Sequence, residues 1–283
     1  FLLDEPGDSG SNKNLARAYL ALSEWNEASY FFAAGNSLKR GIPWNEGNKD
    51  ILTFEYKQKK LVTGLHKLKH DIEQFEGLVG KGFLPEIFIP YIEGYKELYK
   101  ELYPLKVQNS QINLTTDQYK NISPLYEKNI YLIKTNKTNL PSINNSLNAD
   151  TIQADFFEQK PNFVYFDDFL SNNGLEKIQN ICLYSTIWNG YSKSGGYLGA
   201  YLDDGLDDKL FLQIAGELKR NFPKIFTNLP LTFIWAYKYD SELNGIEIHA
   251  DKASINVNFW ITPDIANLKP DCGGLILYDL ETP

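Results

Sequence analysis

The spacing of apolar residues changes along the chain, and this change limits the folds that the chain can adopt. Between residues 51 and 80 the apolar residues recur at alternating spacings of four and three, which places them on one stripe of an α-helix: Leu61, Leu65, Leu68, Ile72, Phe75 and Val79. Between residues 254 and 262 apolar and polar residues alternate, which indicates a half-buried β-strand. A helical region followed by a strand-rich region predicts an α+β fold.

The first 104 residues form the predicted helical region. Residues 51–80 and 86–103 are each expected to form an amphipathic helix. Residues 15–38 resemble one tetratricopeptide repeat, a helix–turn–helix unit in which a small residue lies where the helices cross; the matching positions are Leu15, Tyr19, Trp25, Ala28 and Phe32. Short amphipathic helices give such patterns often, so an ordinary helical hairpin stays open as an alternative.

The rest of the chain divides by composition. Residues 105–160 contain a stretch rich in Asn, Ser, Thr and Lys with weak apolar periodicity, which predicts a linker or a long surface loop. Residues 161–283 form a predicted strand-rich domain, for which an antiparallel barrel and a sandwich both stay open. Within it we expect a short β-rich run at 163–166, helices at 174–187 and 207–221, and strands at 231–239, 246–250, 254–262 and 274–279.

Composition limits the classes of partner and the cellular compartment that we expect for this chain. The chain has 283 residues, 43% of them apolar, and a formal net charge of −8. It can therefore bury a core, but its charge opposes binding to a phosphate backbone, so we expect no nucleic-acid partner. No run approaches the roughly 20 apolar residues of a membrane-spanning helix. The only cysteines are Cys182 and Cys272. These features predict a cytoplasmic protein without a membrane segment, and a single disulfide stays open.

The pair His249 and Asp251 is the strongest candidate for chemistry. Two residues that are two positions apart on a strand point to the same face. One imidazole and one carboxylate supply two corners of the 2-His-1-carboxylate site of non-haem Fe(II) enzymes. A lone His-x-Asp tripeptide also occurs by chance as a surface or core feature, and this interpretation stays open.

The strand predicted after this pair places polar and apolar residues on opposite faces. Asn256, Asn258 and Trp260 share one face, and the other face is apolar. Amides that point into a barrel need partners, and a bound dicarboxylate would supply them. Amides that face solvent, or that bond across the sheet, are the alternative.

From Asn162 to Asp279 the chain resembles the 2-oxoglutarate- and Fe(II)-dependent oxygenases, on the side of the prolyl-4-hydroxylase-like enzymes. The resemblance rests on Val164–Leu170, Tyr239, His249-Ala-Asp251, Asn258–Thr262 and Gly273–Asp279. It implies a double-stranded β-helix (jelly-roll) barrel with Fe(II) bound by His249 and Asp251. It also implies 2-oxoglutarate oriented by Tyr239, Asn256 and Asn258, and a hydroxylated substrate, for which a peptide or protein bound by the helical region is a candidate.

The chain also departs from this pattern. The family requires a second histidine ligand and then an Arg or Lys that pairs with 2-oxoglutarate, both after the Gly-Gly strand. We expect both beyond Pro283, because the chain starts at Phe1, contains no methionine and is interpreted as a fragment whose C-terminal strands are missing. His66 and His70 are assigned a structural or surface role, and the acidic residues at 203–208 a solvated turn. The alternative function is a non-catalytic helical adaptor with a degenerate barrel. The sequence predicts neither the substrate nor the oligomeric state.

Overall fold

The structure is a computed structural model that describes residues 7–55, 61–105, 111–135, 140–191, 196–239, 248–249, 251–267 and 274–278. The described residues combine α-helices with two small antiparallel sheets, which confirms the predicted α+β class. Contacts divide the chain into two compact units that alternate along the sequence. The first comprises Phe1–Lys134, Ile181–Asp207 and Phe233–Glu247, and the second comprises Thr135–Asn180, Asp208–Thr232 and Ile248–Pro283.

The first unit begins with a helical hairpin. Helix α1 (Ser9–Ala21) starts after Asp8, whose carboxylate accepts a hydrogen bond from the first turn of the helix. Helix α2 (Trp25–Arg40) follows a short turn and approaches α1 closely at Gly35, where an added Cβ would lie 2.8 Å from Cγ of Lys13. The predicted helical hairpin is confirmed, whereas the described residues do not establish a tetratricopeptide repeat.

Short strands and further helices complete the helical part of this unit. Strand β1 (Val62–Thr63) precedes helix α3 (Leu65–Gly80), helix α4 (Ile89–Leu102) follows, and strand β2 (Ile112–Asn113) pairs antiparallel with β1 before helix α5 (Thr116–Ile122). The helix predicted for residues 51–80 therefore begins only at residue 65, because the β-branched residues before it pair as a strand. The helix predicted for residues 86–103 is confirmed from residue 89, after a 3-10 turn.

Residues 111–135 belong to the core and not to a linker. Leu114, Ile122, Leu125, Tyr126 and Ile130 are buried together with the apolar residues of α3 and α4. The backbone of this segment also bonds to distant residues: the carbonyl of Ile130 accepts from the N–H of Trp44 at 2.8 Å. Apart from Ile122 at the end of α5, these side chains lie on backbone outside helices and strands, so no helical or strand period in the sequence indicated them.

A three-stranded antiparallel sheet lies further along the first unit. Its order is β3 (Gly190–Tyr191), β4 (Tyr197–Tyr201) and β5 (Trp235–Tyr239). Leu198 and Ala200 on β4 are buried, and the alternating positions of β4 and β5 carry aromatic rings on the other face. The strand predicted for residues 231–239 is confirmed in its second half.

The acidic turn after β4 was expected to be solvated, but two of its carboxylates bind side chains of α2. The Asp204 carboxylate accepts hydrogen bonds from Arg40 at 2.8 and 2.6 Å and from Lys39 at 2.9 Å. The buried Asp207 carboxylate accepts from the side-chain amide of Asn36 at 2.6 Å. These partners lie more than 160 positions away in the chain. Local composition indicated a turn correctly but could not indicate that α2 supplies its counter-charges.

The second unit contains helices α6 (Ala149–Glu158), α8 (Lys209–Asn221) and α9 (Pro223–Phe226), together with the first part of α7 (Asn172–Tyr184). The helices predicted at 174–187 and 207–221 are therefore confirmed to within a few residues. Buried Glu217 on α8 accepts hydrogen bonds from the backbone N–H groups of residues 142 and 143, at 2.9 and 2.7 Å. This carboxylate attaches an irregular segment to the helix because it satisfies two buried donors.

The predicted strands of the second unit are not formed among the described residues. Residues 163–166, 254–262 and 274–278 have no paired strand, and of the strand predicted at 246–250 only residues 248 and 249 are described. The described part of the chain thus does not show a jelly-roll barrel, and the barrel stays a prediction. In the same described part, no helix has both the length and the apolar character needed to cross a bilayer.

Candidate metal-binding site

His249 and Asp251 lie together in the second unit. Nε2 of His249 is 3.8 Å from Oδ1 of Asp251, and the two side chains are 54% and 39% exposed. Two donors of different chemistry therefore face each other at a surface that a metal ion and water can reach. The structure brings together the two residues that the sequence selected as ligands.

The donors fit two corners of an Fe(II) site. Metal–ligand bonds of roughly 2.1 Å place neighbouring ligand atoms of an octahedral site about 3.0 Å apart. The observed 3.8 Å separation exceeds that spacing slightly, and a small rotation of either exposed side chain would close the difference. Among the described residues, no group of three His, Cys, Asp or Glu side chains could hold a metal ion. The pair consequently accounts for two of the three protein ligands that the resemblance calls for.

The second carboxylate oxygen of Asp251 has its own partner. The side-chain amide of Asn256 donates from Nδ2 to Oδ2 of Asp251 at 3.2 Å. The backbone N–H of Ala253 donates to the carbonyl of Asp251 at 2.9 Å. This bond forms a tight turn between Asp251 and Asn256. Asn256, which the sequence assigned to 2-oxoglutarate, thus contacts the predicted metal ligand.

The segment after this turn follows its alternating sequence only in part. Phe259 is half-buried, with its ring 5.8 Å from that of Phe169, and the carbonyl of Ile261 accepts a hydrogen bond from Gln179 at 2.7 Å. Asn258 and Trp260 are exposed, but so is Val257 on the predicted apolar face. Phe259 and Ile261 therefore attach the segment to other residues of the second unit.

Tyr239 belongs to the first unit, at the end of β5. It pairs in register with Tyr197 on β4, and the two ring centroids are 6.1 Å apart. Partial burial, together with the neighbouring Tyr197, raises the pKa of Tyr239 above its ordinary value of 10.0. The hydroxyl is therefore protonated at neutral pH and can donate a hydrogen bond, which is what the predicted role toward 2-oxoglutarate requires. That role stays a prediction.

His66 and His70 lie on α3 in the first unit, and both have interactions within that unit. The ring of His66 lies 5.9 Å from that of Tyr191. His70 is buried, its Nδ1 is 3.2 Å from Oδ1 of Asp71, and Lys67 donates to both oxygens of the same carboxylate at 2.5 Å. Burial lowers the pKa of His70, although Asp71 acts in the opposite direction. Of the structural and surface roles that the sequence left open for His70, the structure shows a buried core residue.

The buried charges around this histidine were missed. Lys67 and Asp71 are four positions apart, beside the apolar stripe of α3, and charges next to such a stripe are the signal that could have indicated them. Glu127 is also buried, and the guanidinium group of Arg40 lies 3.6 Å from its carboxylate. Burial raises the pKa of Glu127, with Arg40 opposing this. No sequence pattern indicates that these groups share one interior.

No family model, no curated protein and no solved structure gives a significant match to this chain.

Proposed function

We propose that this protein is an Fe(II)- and 2-oxoglutarate-dependent dioxygenase that hydroxylates a substrate C–H bond. The observation that carries the proposal is the 3.8 Å separation between Nε2 of His249 and Oδ1 of Asp251, both accessible from solvent. A nitrogen and a carboxylate oxygen at this spacing are the donors that non-haem Fe(II) enzymes use. The resemblance of residues 162–279 to this family supports the same assignment, and it implies a jelly-roll barrel.

Each residue then has a defined task. His249 and Asp251 hold the metal. Asn258 exposes a side-chain amide, which can donate a hydrogen bond to a carboxylate of 2-oxoglutarate. The same role for Tyr239, whose hydroxyl keeps its proton, rests on the resemblance alone. Bound Fe(II) and 2-oxoglutarate supply the oxidising chemistry, in which O2, 2-oxoglutarate and the substrate C–H give succinate, CO2 and the hydroxylated product. The proposed substrate class is a peptide or protein side chain.

The test is succinate production from 2-oxoglutarate by the purified full-length protein with Fe(II) and O2. We expect turnover by the unchanged protein and its loss in His249→Ala. Lys252→Ala is the matched control: Lys252 is exposed and adjacent to Asp251, but it is not a metal donor. Succinate production that is equal in His249→Ala and in the unchanged protein would refute the iron assignment.

The competing proposal is a non-catalytic helical adaptor with a degenerate barrel. One observation favours it: the part of the chain that the structure describes contains no group of three metal-binding side chains. The same experiment separates the two proposals. An adaptor produces no succinate at any Fe(II) concentration, with or without the substitution at His249.

A further inference from the structure

The two oxygens of the Asp251 carboxylate are not equivalent. Oδ1 faces Nε2 of His249 at 3.8 Å, and Oδ2 accepts a hydrogen bond from Nδ2 of Asn256 at 3.2 Å. A carboxylate without such a partner can rotate and present either oxygen, or both, to a cation. A hydrogen bond to one oxygen selects the orientation in which the other oxygen faces outward.

We infer that Asn256 is a positioning residue, which fixes Asp251 so that Oδ1 is the metal-binding oxygen beside His249. The inference rests on the proposed function, and it deepens that function by giving Asn256 a role toward the metal ligand. Hydrogen bonds to metal-binding carboxylates orient the ligand and tune its affinity. An amide suits this position because it donates a hydrogen bond without adding a positive charge that would compete with the metal.

The local backbone supports this arrangement. The N–H of Ala253 donates to the carbonyl of Asp251 at 2.9 Å, which folds the chain back after the ligand. Beyond the turn, the half-buried Phe259 and the carbonyl of Ile261 attach the segment to the second unit. Asn256 therefore projects from a backbone that is held on both sides, and its amide reaches the carboxylate five positions earlier.

Metal affinity tests this role without any turnover. Co(II) is titrated calorimetrically into the protein in the absence of 2-oxoglutarate and O2, and its visible absorption is recorded. Asn256→Ala and the similarly shaped Asn256→Leu both remove the donor. We expect each to weaken Co(II) binding by about 10-fold to 100-fold and to shift the absorption spectrum, because the carboxylate changes its binding mode. Asn228→Ala removes an exposed amide elsewhere in the second unit and should leave both readouts unchanged.

The outcomes separate this inference from the proposed function. An unchanged protein that binds no Co(II) overturns both. If the unchanged protein binds Co(II) and both Asn256 variants bind it with the same affinity and spectrum, the positioning role is refuted while the metal assignment stands. Thermal melting provides the folding control, and we expect little change because the Asn256 side chain is exposed.

Discussion

The guanidinium group of Arg40 on α2 and the carboxylate of Asp204 after β4 form a two-point ion pair, with Nε–Oδ1 and Nη2–Oδ2 distances of 2.8 and 2.6 Å. Their side chains are only 4% and 15% exposed. Burial by itself raises the pKa of Asp204, but Arg40 and Lys39 outweigh it and hold that pKa below its ordinary value. The pair attaches the helical hairpin to the central sheet of the same unit.

We expect Asp204→Asn to lower the free energy of unfolding by about 3 to 5 kcal/mol, because it removes the main counter-charge of a buried guanidinium. Urea unfolding followed by circular dichroism measures the change. The matched control is Asp203→Asn, whose partner Arg17 is half exposed. That variant should lose less than about 1 kcal/mol. Equal losses in the two variants would contradict the role assigned to the buried pair.

The buried His70 predicts a pH dependence of stability. Burial lowers its pKa below the ordinary value of 6.5. Below that pH the unfolded chain binds a proton that the folded protein does not, so stability should decrease between about pH 7.5 and about pH 5.5. Urea unfolding at both pH values measures the decrease.

Substitution tests the source of this dependence. We expect His70→Gln to reduce the loss of stability between the two pH values, since the titrating group is gone. The assignment to His70 fails if this variant keeps the pH dependence of the unchanged protein.

Two helical glycines should respond in opposite directions to alanine. At Gly94 on α4, an added Cβ would lie 2.8 Å from the backbone carbonyl oxygen of Asn121, so α5 must move away. We expect Gly94→Ala to destabilise the protein by about 1 to 3 kcal/mol. Gly77 on α3 is exposed, and an added Cβ meets nothing within 4 Å. Gly77→Ala should stabilise the protein by roughly 0.5 to 1 kcal/mol. Melting temperatures that change in the same direction would contradict the helix contact.

The predictable part of the fold is the part with a local period. Helices α3, α4, α7 and α8 were expected within a few residues of their bounds apart from the start of α3, because their apolar residues form a stripe that sequence alone can reveal. The interior of residues 111–135 was not expected. Tyr126 and Ile130 are buried in the core, the hydroxyl of Tyr126 donates to the carbonyl of Val62, and the carbonyl of Ile130 accepts from the N–H of Trp44. No local period encodes such distant contacts.

The candidate site follows the same division. The proximity of His249 to Asp251 follows from two positions that are close in sequence. The bond from Asn256 to Asp251 was not expected, because it depends on the turn at Ala253 and not on strand alternation. The ion pair between Arg40 and Asp204 could not be predicted from the sequence, since 164 positions separate the two residues.

The proposed function requires that His249 and Asp251 bind one and the same metal ion. Anaerobic Fe(II) titration of the unchanged protein, His249→Ala, Asp251→Ala and the double variant measures this. If the two residues share one ion, each single substitution should remove most of the binding, and the double variant should lose little more. Single variants that keep the Fe(II) affinity of the unchanged protein would contradict the claim.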